Sequence, residues 1–303
     1  MRQGLRAEAL GTDVPLSDIP ANRPVLIAGP TASGKSALAE AIVAVGGGVI
    51  VNADALQVYA CWQVLTARPS APEEAALAHR LFGHVEREQA YSAGHWLREV
   101  KAVLAEGQRP VITGGTGLYF MALTEGLAEV PPTPPDVRSA ADTRLRDAGL
   151  TEMAAELDAA TAARIDLRNP ARVQRAWEVL RATGRGLADW QADTGPPLLA
   201  LDRVEALVLD PDRDWLAARI DRRFDAMMAA GALDEVRAVL PDWHPGAPWT
   251  RAIGAPELAA HLQGKLPLAD AVAAAKIASR QYAKRQRTWF RSRMAAWRRI
   301  ALP

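Results

Sequence analysis

The stretch Gly29-Pro30-Thr31-Ala32-Ser33-Gly34-Lys35-Ser36 follows the apolar run Val25-Leu26-Ile27-Ala28 and precedes a helical pattern from Ala37 to Val45. This G-x-x-x-x-G-K-[ST] spacing between a strand and a helix reads as a phosphate-binding loop. The backbone N–H groups of Gly29, Thr31, Ala32, Ser33 and Gly34 can converge on phosphate oxygens at a helix N-terminus, where the helix dipole favours negative charge. Lys35 adds a mobile positive charge. The Ser36 hydroxyl suits the Mg²⁺ that accompanies a di- or triphosphate, which makes Mg²⁺ the expected cofactor.

A chain of 303 residues, 49% hydrophobic and 23% charged, is long enough for one large or two modest domains with a real core. The single cysteine, Cys61, rules out an internal disulfide framework and fits a reducing, cytoplasmic setting. No apolar run approaches the length of a membrane span, and the first twenty residues carry Glu8, Asp13 and Asp18 without an apolar segment, so neither a span nor a signal peptide is expected. Residues 1–20 read as a loose extension. The net charge of +1 hides an asymmetry, because Ala271 to Pro303 holds nine Lys or Arg and no Asp or Glu. There Arg280, Lys284, Arg287 and Arg291 recur at helical spacing, predicting a basic stripe that attracts polyanions or else a solvated face.

Four short apolar segments read as buried strands: Val25–Ala28, Gly48–Val51, Pro110–Thr113 and Val204–Leu209. Helical patterns over Glu73–Leu81, Ala93–Ala105, Asp214–Met228 and Leu233–Leu240 separate or follow them, which predicts an α/β fold with a parallel, doubly wound sheet of the P-loop NTPase type flanked by helices. The Pro-rich run Val130–Pro135 opens a stretch with helical patterns alone. The expected organisation is a core over 21–130 and 204–303 with an all-helical domain inserted at 131–203. Within the insertion, Asn169 and Pro170 form a helix-start signal, Gly184 a stop, and Val173, Ala176, Trp177 and Leu180 a buried face. Arg164, Arg168, Arg172, Arg175, Arg181 and Arg185 predict a second basic surface.

In a parallel sheet the ligand site lies at the carboxyl ends of the strands. Asp54, just after the second segment, can hold Mg²⁺, accept a proton or cap a helix. Thr116, in the glycine-rich turn Gly114–Tyr119, can offer its hydroxyl to a phosphate or simply shape the turn. Arg219 and Arg223, four residues apart on one helix, suit a phosphate clamp or ion pairs with Asp221 and Asp225. The five histidines show no metal-ligand spacing, so structural zinc is not expected.

With these blocks in hand, the sequence closely resembles the tRNA dimethylallyltransferases, the bacterial tRNA isopentenyltransferases. The resemblance runs in order through the phosphate loop, Asp54–Tyr59 with Gln57, Thr66-Ala67-Arg68-Pro69, Tyr91-Ser92-Ala93, Gly114–Tyr119, and Arg164-Ile165 with Asn169-Pro170 and Arg172–Arg175. It continues through Arg213, Arg219-Ile220, Arg223–Asp225, Arg251–Gly254, Gln281, Lys284–Gln286 and Thr288–Phe290. The chain departs from the family at Ala55, Leu65 and Ala255, where Ser, Gly and Tyr are frequent.

The resemblance implies transfer of a dimethylallyl group from dimethylallyl diphosphate to the exocyclic amine of the adenosine 3′ of the anticodon in tRNA. It implies Asp54 as general base, with Lys35 and Thr116 beside it. It implies tRNA contacts at Asp54, Ala55, Leu56, Gln57, Thr116, Arg138, Ala171, Arg172, Val173, Gln174, Arg175, Arg251, Gln281, Lys284, Arg285 and Arg287, with the insertion gripping the anticodon stem-loop. A monomer is expected. A kinase would share the loop and Asp54 but leaves the basic surfaces unexplained. A non-catalytic RNA-binding NTPase would explain those surfaces but not the Asp54, Gln57 and Thr116 constellation.

Overall fold

The computed structural model describes residues 16–303. Most of the expected N-terminal extension therefore lies outside the described residues. Of the rest, Leu16–Asp18 make a 3-10 turn, and Ile19 is buried in the core rather than loose.

Strands β1 (Val25–Ala28), β2 (Val49–Asn52), β3 (His79–Arg80), β4 (Pro110–Gly114), β5 (Glu205–Pro211) and β6 (Arg298–Leu302) form one parallel sheet in the order β3-β2-β4-β1-β5-β6. The helices are α1 (Lys35–Gly46), α2 (Ala71–Ala76), α3 (Ala93–Ala105), α4 (Gly117–Glu125), α5 (Pro135–Ala155), α6 (Ala159–Ala162), α7 (Pro170–Thr183), α8 (Leu187–Ala192), α9 (Arg213–Ala229), α10 (Ala232–Val239), α11 (Ala255–Leu262) and α12 (Leu268–Arg293). β1 and β2 are buried at every position, as continuous apolar runs demand when both faces of a sheet are covered. β4 lies between β1 and β2, so the chain changes direction across the sheet there. The turns that leave β1, β2 and β4 consequently meet at one edge, the crevice where doubly wound sheets bind ligands.

The sheet has two strands, β3 and β6, that local periodicity does not predict, and α2 is shorter than its helical pattern. The helix expected over Glu73–Leu81 stops at Ala76, and Leu77 turns extended. The exposed edge of β2 takes over: Ile50 N–H donates to the Ala78 carbonyl at 2.9 Å, and His79–Arg80 pair with Ile50 and Val51. Likewise the basic tail does not stay helical, because Arg298–Leu302 pair along β5. The glycine-rich turn after β4 is also shorter than expected, with α4 starting at Gly117.

The chain separates into two compact units. One comprises the described residues up to Met121 with Leu199–Pro303, and the other Ala122–Leu198. The second contains α5 to α8 around Ala141, Met153, Val173 and Trp177. Its α7 follows its local signals: the Asn169 side chain accepts from Arg172 N–H, Pro170 occupies the first turn, and Gly184 ends the helix with φ of 69°. Val173, Ala176 and Trp177 are buried there, while Leu180 is half-buried.

Candidate active site

The phosphate loop leaves β1 fully buried and turns back through Ala32 and Gly34, whose φ angles are 63° and 93°. Gly34 is the N-cap of α1 and supplies no side chain to it, so the first-turn N–H groups of the helix carry no side-chain cap. Donors left in this way are what an anionic oxygen requires. Lys35 Nζ rests on the Pro30 carbonyl at 2.8 Å. Burial lowers its pKa to about 7, opposed by the nearby Asp54 and assisted by Arg223.

Asp54 is held by a local network. Its Oδ1 accepts from Leu56 N–H at 2.9 Å, and its own N–H donates to Asn52 Oδ1 at 2.8 Å. The Asn52 amide in turn donates to the Asp54 and Leu81 carbonyls at 3.0 and 2.9 Å. The fully buried Trp96 closes the network by donating to the Asn52 carbonyl at 2.6 Å. Across the β2–β4 edge, Thr116 Oγ1 accepts from Ala55 N–H at 2.9 Å, and Thr116 N–H donates to the Ala53 carbonyl at 3.1 Å. Gly114 allows this approach, since a Cβ there would sit 2.1 Å from the Ala53 carbonyl carbon. Thr116 thus ties the two turns together and retains its hydroxyl proton as a donor.

A cavity of about 300 Å³ opens in this unit, lined by Thr31, Ala32, Gly34, Lys35, Ser36, Asp54, Leu56 and Gln57 from the sheet side. Arg219, Arg222, Arg223 and Tyr282 line it from α9 and α12. Arg219 Nε donates to the Ala32 carbonyl at 3.0 Å, and its guanidinium lies 4.6 Å from the Trp215 ring centroid, which fixes its direction. Burial lowers the Arg223 pKa, with Asp54 opposing that effect. Asp221 and Asp225 pair instead with Arg280 and Lys276 of α12. The remaining lining combines apolar side chains, Leu65, Phe224 and Met227 of one hydrophobic cluster together with Ile220 and Ile253, with the polar Thr66, Thr113 and Ser279.

Of the expected site residues, the fold brings Thr31, Ala32, Gly34, Lys35, Ser36, Asp54, Leu56, Gln57, Arg219 and Arg223 around that cavity. Gly29 and Ser33 are buried within the loop itself, while Ala55 and Thr116 are held in the adjoining turns. The Gln57 amide is committed to the Thr66 and Ala67 carbonyls at 2.8 and 3.2 Å.

The basic surfaces are more neutralised than the sequence suggests. Arg280 and Arg291 of the expected stripe pair with Asp221 and Asp210, acids contributed by α9 and β5. Lys284 and Arg285 remain exposed, as do Gln281 and Arg251, and Arg287 is half-buried. In the other unit, Arg138 and Arg175 pair with the buried Glu178 at 3.3 and 3.7 Å, and Gln174 donates to Asp142 at 2.7 Å. Arg181 and Arg185 are also paired, with Glu156 and Asp193. Ala171 and Arg172 are exposed and Val173 is core; Arg172 has no ion-pair partner among the described residues.

Local sequence pattern assigns no role to Gln286. It is 6% exposed, its Oε1 accepts from Thr31 N–H at 2.9 Å, and its Nε2 donates to the Gly115 carbonyl at 3.0 Å. It thereby fastens α12 to both the phosphate loop and the turn after β4. The signal was periodicity: Ala275, Ser279, Ala283, Gln286 and Phe290 form the buried face of α12, and a glutamine on such a face must have partners.

A parallel sheet whose phosphate loop, lysine and paired arginines face a carboxylate defines a P-loop-type enzyme site. The chain belongs to the IPP transferase family, whose model matches residues 57–293. A tRNA dimethylallyltransferase of Cereibacter sphaeroides is 74% identical over 288 residues, covering 95% of this chain and 92% of that protein. One from Paracoccus denitrificans is 59% identical over 293 residues, covering 95% and 97%. Among solved structures, a tRNA isopentenylpyrophosphate transferase from Bacillus halodurans is 28% identical with a TM-score of 0.65, covering 92% of this chain and 89% of that one. A eukaryotic dimethylallyltransferase acting on tRNA shares the fold, with a TM-score of 0.76 at 22% identity over 92% of this chain and 73% of that one.

Proposed function

We propose that the chain transfers a dimethylallyl group from dimethylallyl diphosphate to the exocyclic amine of the adenosine 3′ of the anticodon in tRNA. The observation that carries this reading is the mixed lining of the cavity. The phosphate loop, Lys35, Arg219, Arg222 and Arg223 suit a diphosphate, while the Leu65, Phe224, Met227 and Ile253 side suits a short branched hydrocarbon. A kinase needs only the first half.

In this reaction the adenine nitrogen bonds to C1 of the dimethylallyl group as the C1–O bond breaks, and pyrophosphate departs with the electron pair. Lys35 and the arginines stabilise the charge that grows on the leaving oxygens. Asp54 accepts the proton from the amine, because its Oδ1 is anchored to Leu56 N–H and its other oxygen remains available. Reaching a cavity requires the base to leave its stack, so the loop must present a flipped adenosine.

Mg²⁺ fits the donor set. Ser36 and Asp54 line the same cavity as the phosphate loop, a donor set that suits an ion held by substrate phosphates and few protein oxygens. Ser36 would hold it with the diphosphate, and bound there it supplies charge neutralisation on the leaving group.

Incubation of the protein with tRNA and either dimethylallyl diphosphate or ATP tests the reading. Prenylated adenosine is expected; phosphoryl transfer or hydrolysis alone would replace this function with a kinase or switch.

Lys35 gives a pH signature. With the pKa of the free protein near 7, Lys35 is cationic below that pH and increasingly neutral above it. A diphosphate favours the cation, so binding takes up a proton at higher pH. Diphosphate affinity should therefore fall above pH 7, approaching tenfold per pH unit. Lys35→Ala should weaken binding by about ten- to a hundredfold at pH 6.5, the worth of a hydrogen bond to a charged group. It should also flatten the profile above pH 7.5. Titration calorimetry across pH 6.5–9 checks both, and an unchanged affinity and profile in the variant would assign the loop to another ligand.

The exposed cations should act on RNA. Replacing Arg172 with Ala, or Lys284 and Arg285 together, should weaken tRNA binding and make its log–log salt slope shallower, by about one unit for each cation that neutralises a phosphate. Diphosphate affinity should stay put. Arg175→Ala is a poorer probe, because it also removes a partner from the buried Glu178. A wild-type salt slope in either variant would mark that surface as merely solvated.

A further inference from the structure

Thr113 is the next-to-last residue of β4, 5% exposed, and its hydroxyl is buried without a hydrogen-bond partner. Burying a hydroxyl unsatisfied is costly, and a valine of the same shape would avoid that cost. Strand alternation puts Thr113 on the same face as Val111, which packs in the cluster containing Leu38 and Ile42 of α1. The polar neighbour in register with it on β2, Asn52, has its side chain engaged by Asp54 and Leu81. Protein groups therefore leave this hydroxyl over.

What Thr113 does border is space. It lines the main cavity together with Ser36, and both residues also line a second cavity of about 50 Å³. The walls of the second cavity include Glu40, one turn beyond Ser36 on α1, and His79. A polar void of that size holds ordered water when several partners converge on it.

We infer that Thr113 is a positioning residue for the metal. Its hydroxyl fixes a water that is itself bound to the Mg²⁺ held by Ser36 and the diphosphate, so that Thr113 acts in the outer sphere. Mg²⁺ keeps several of its waters when bound to phosphates, and outer-sphere hydrogen bonds orient such ligands. This inference rests on the Mg²⁺ reading given above. No bond forms or breaks at Thr113; it selects the orientation of a water and hence the placement of the ion.

The test measures metal binding directly. Mn²⁺ is titrated by electron paramagnetic resonance into the full chain with saturating pyrophosphate, for wild type, Thr113→Val, Thr113→Ser and Ser36→Ala. Thr113→Val should weaken Mn²⁺ by about tenfold, within the range for lost outer-sphere partners. Its melting temperature should not fall, since the swap removes only an unsatisfied hydroxyl. Thr113→Ser should restore wild-type affinity, which a packing role for the methyl group would not predict. Wild-type Mn²⁺ affinity in Thr113→Val, with Ser36→Ala weakened, overturns the role of Thr113 alone. Wild-type affinity in both variants, or no Mn²⁺ site in the wild type, overturns the inference together with the Mg²⁺ reading.

Discussion

Asp54→Asn is expected to bind tRNA and diphosphate normally and to lose about a hundredfold or more in single-turnover rate. The asparagine oxygen can still accept from Leu56 N–H, and the backbone contacts with Asn52 do not involve the Asp54 side chain. The Asp54–Thr116 region should therefore keep its shape. What disappears is a group able to take a proton from the adenine amine as the new bond forms. A rate within a few fold of wild type under single-turnover conditions would remove Asp54 as the base. If added Mg²⁺ restored the rate, the carboxylate would instead be supporting the ion. Thr116→Val serves as a comparison, because it releases the Ala55 N–H from its acceptor while leaving the carboxylate in place.

The phosphate loop and the start of α7 were legible because their information is local. A Gly-Lys-Ser at a strand end, or Asn-Pro before an apolar repeat, dictates backbone geometry within a few residues. The same holds for β1 and α3, whose expected and observed bounds coincide. The two missed strands are both non-local. His79–Arg80 became a strand because β2 had an edge to fill, and Arg298–Leu302 did so because β5 had another. Periodicity within either segment carries no trace of those partners.

Charge followed the same rule. A tail without acids looked uncompensated, yet Asp221, Asp225 and Asp210 reach its Arg280, Lys276 and Arg291 from elements some fifty or more positions earlier. In the helical unit, Glu178 lies on the same helix as Arg175 but also draws in Arg138 from α5. Candidate RNA contacts chosen by charge alone therefore divide into exposed ones, such as Arg172 and Lys284, and ones already engaged inside the protein. Gln286 shows the converse. It sits in a run of basic residues that draws attention outward, but its side chain faces inward and joins Thr31 to Gly115.

Excision of residues 127–194 should abolish tRNA modification while leaving diphosphate binding intact. The chain enters and leaves this segment at nearly one point, for a Cβ on Gly126 would stand 2.5 Å from the Gly195 carbonyl oxygen. A short Gly-Ser linker can therefore join Gly126 to Gly195 without stretching either side. The cut spares α4 with its buried Ala122 and Leu123, all six strands, and every residue lining the cavity of about 300 Å³. The clusters around Trp62 and around Leu38 also keep all their members, whereas the cluster of Met153 and Trp177 leaves as a whole. The deletion variant should thus melt cooperatively and bind dimethylallyl diphosphate with Mg²⁺ near wild-type affinity. It lacks the exposed Arg172, and phosphate contacts from such a residue set the register of a nucleic acid without reading its sequence. Lacking register, the anticodon loop should not deliver its adenosine to Asp54, and turnover with full-length tRNA should fall by several orders of magnitude. A folded deletion variant that modifies tRNA efficiently would refute this division of labour, and one that folds but loses diphosphate binding would show that the segment supports the cavity as well.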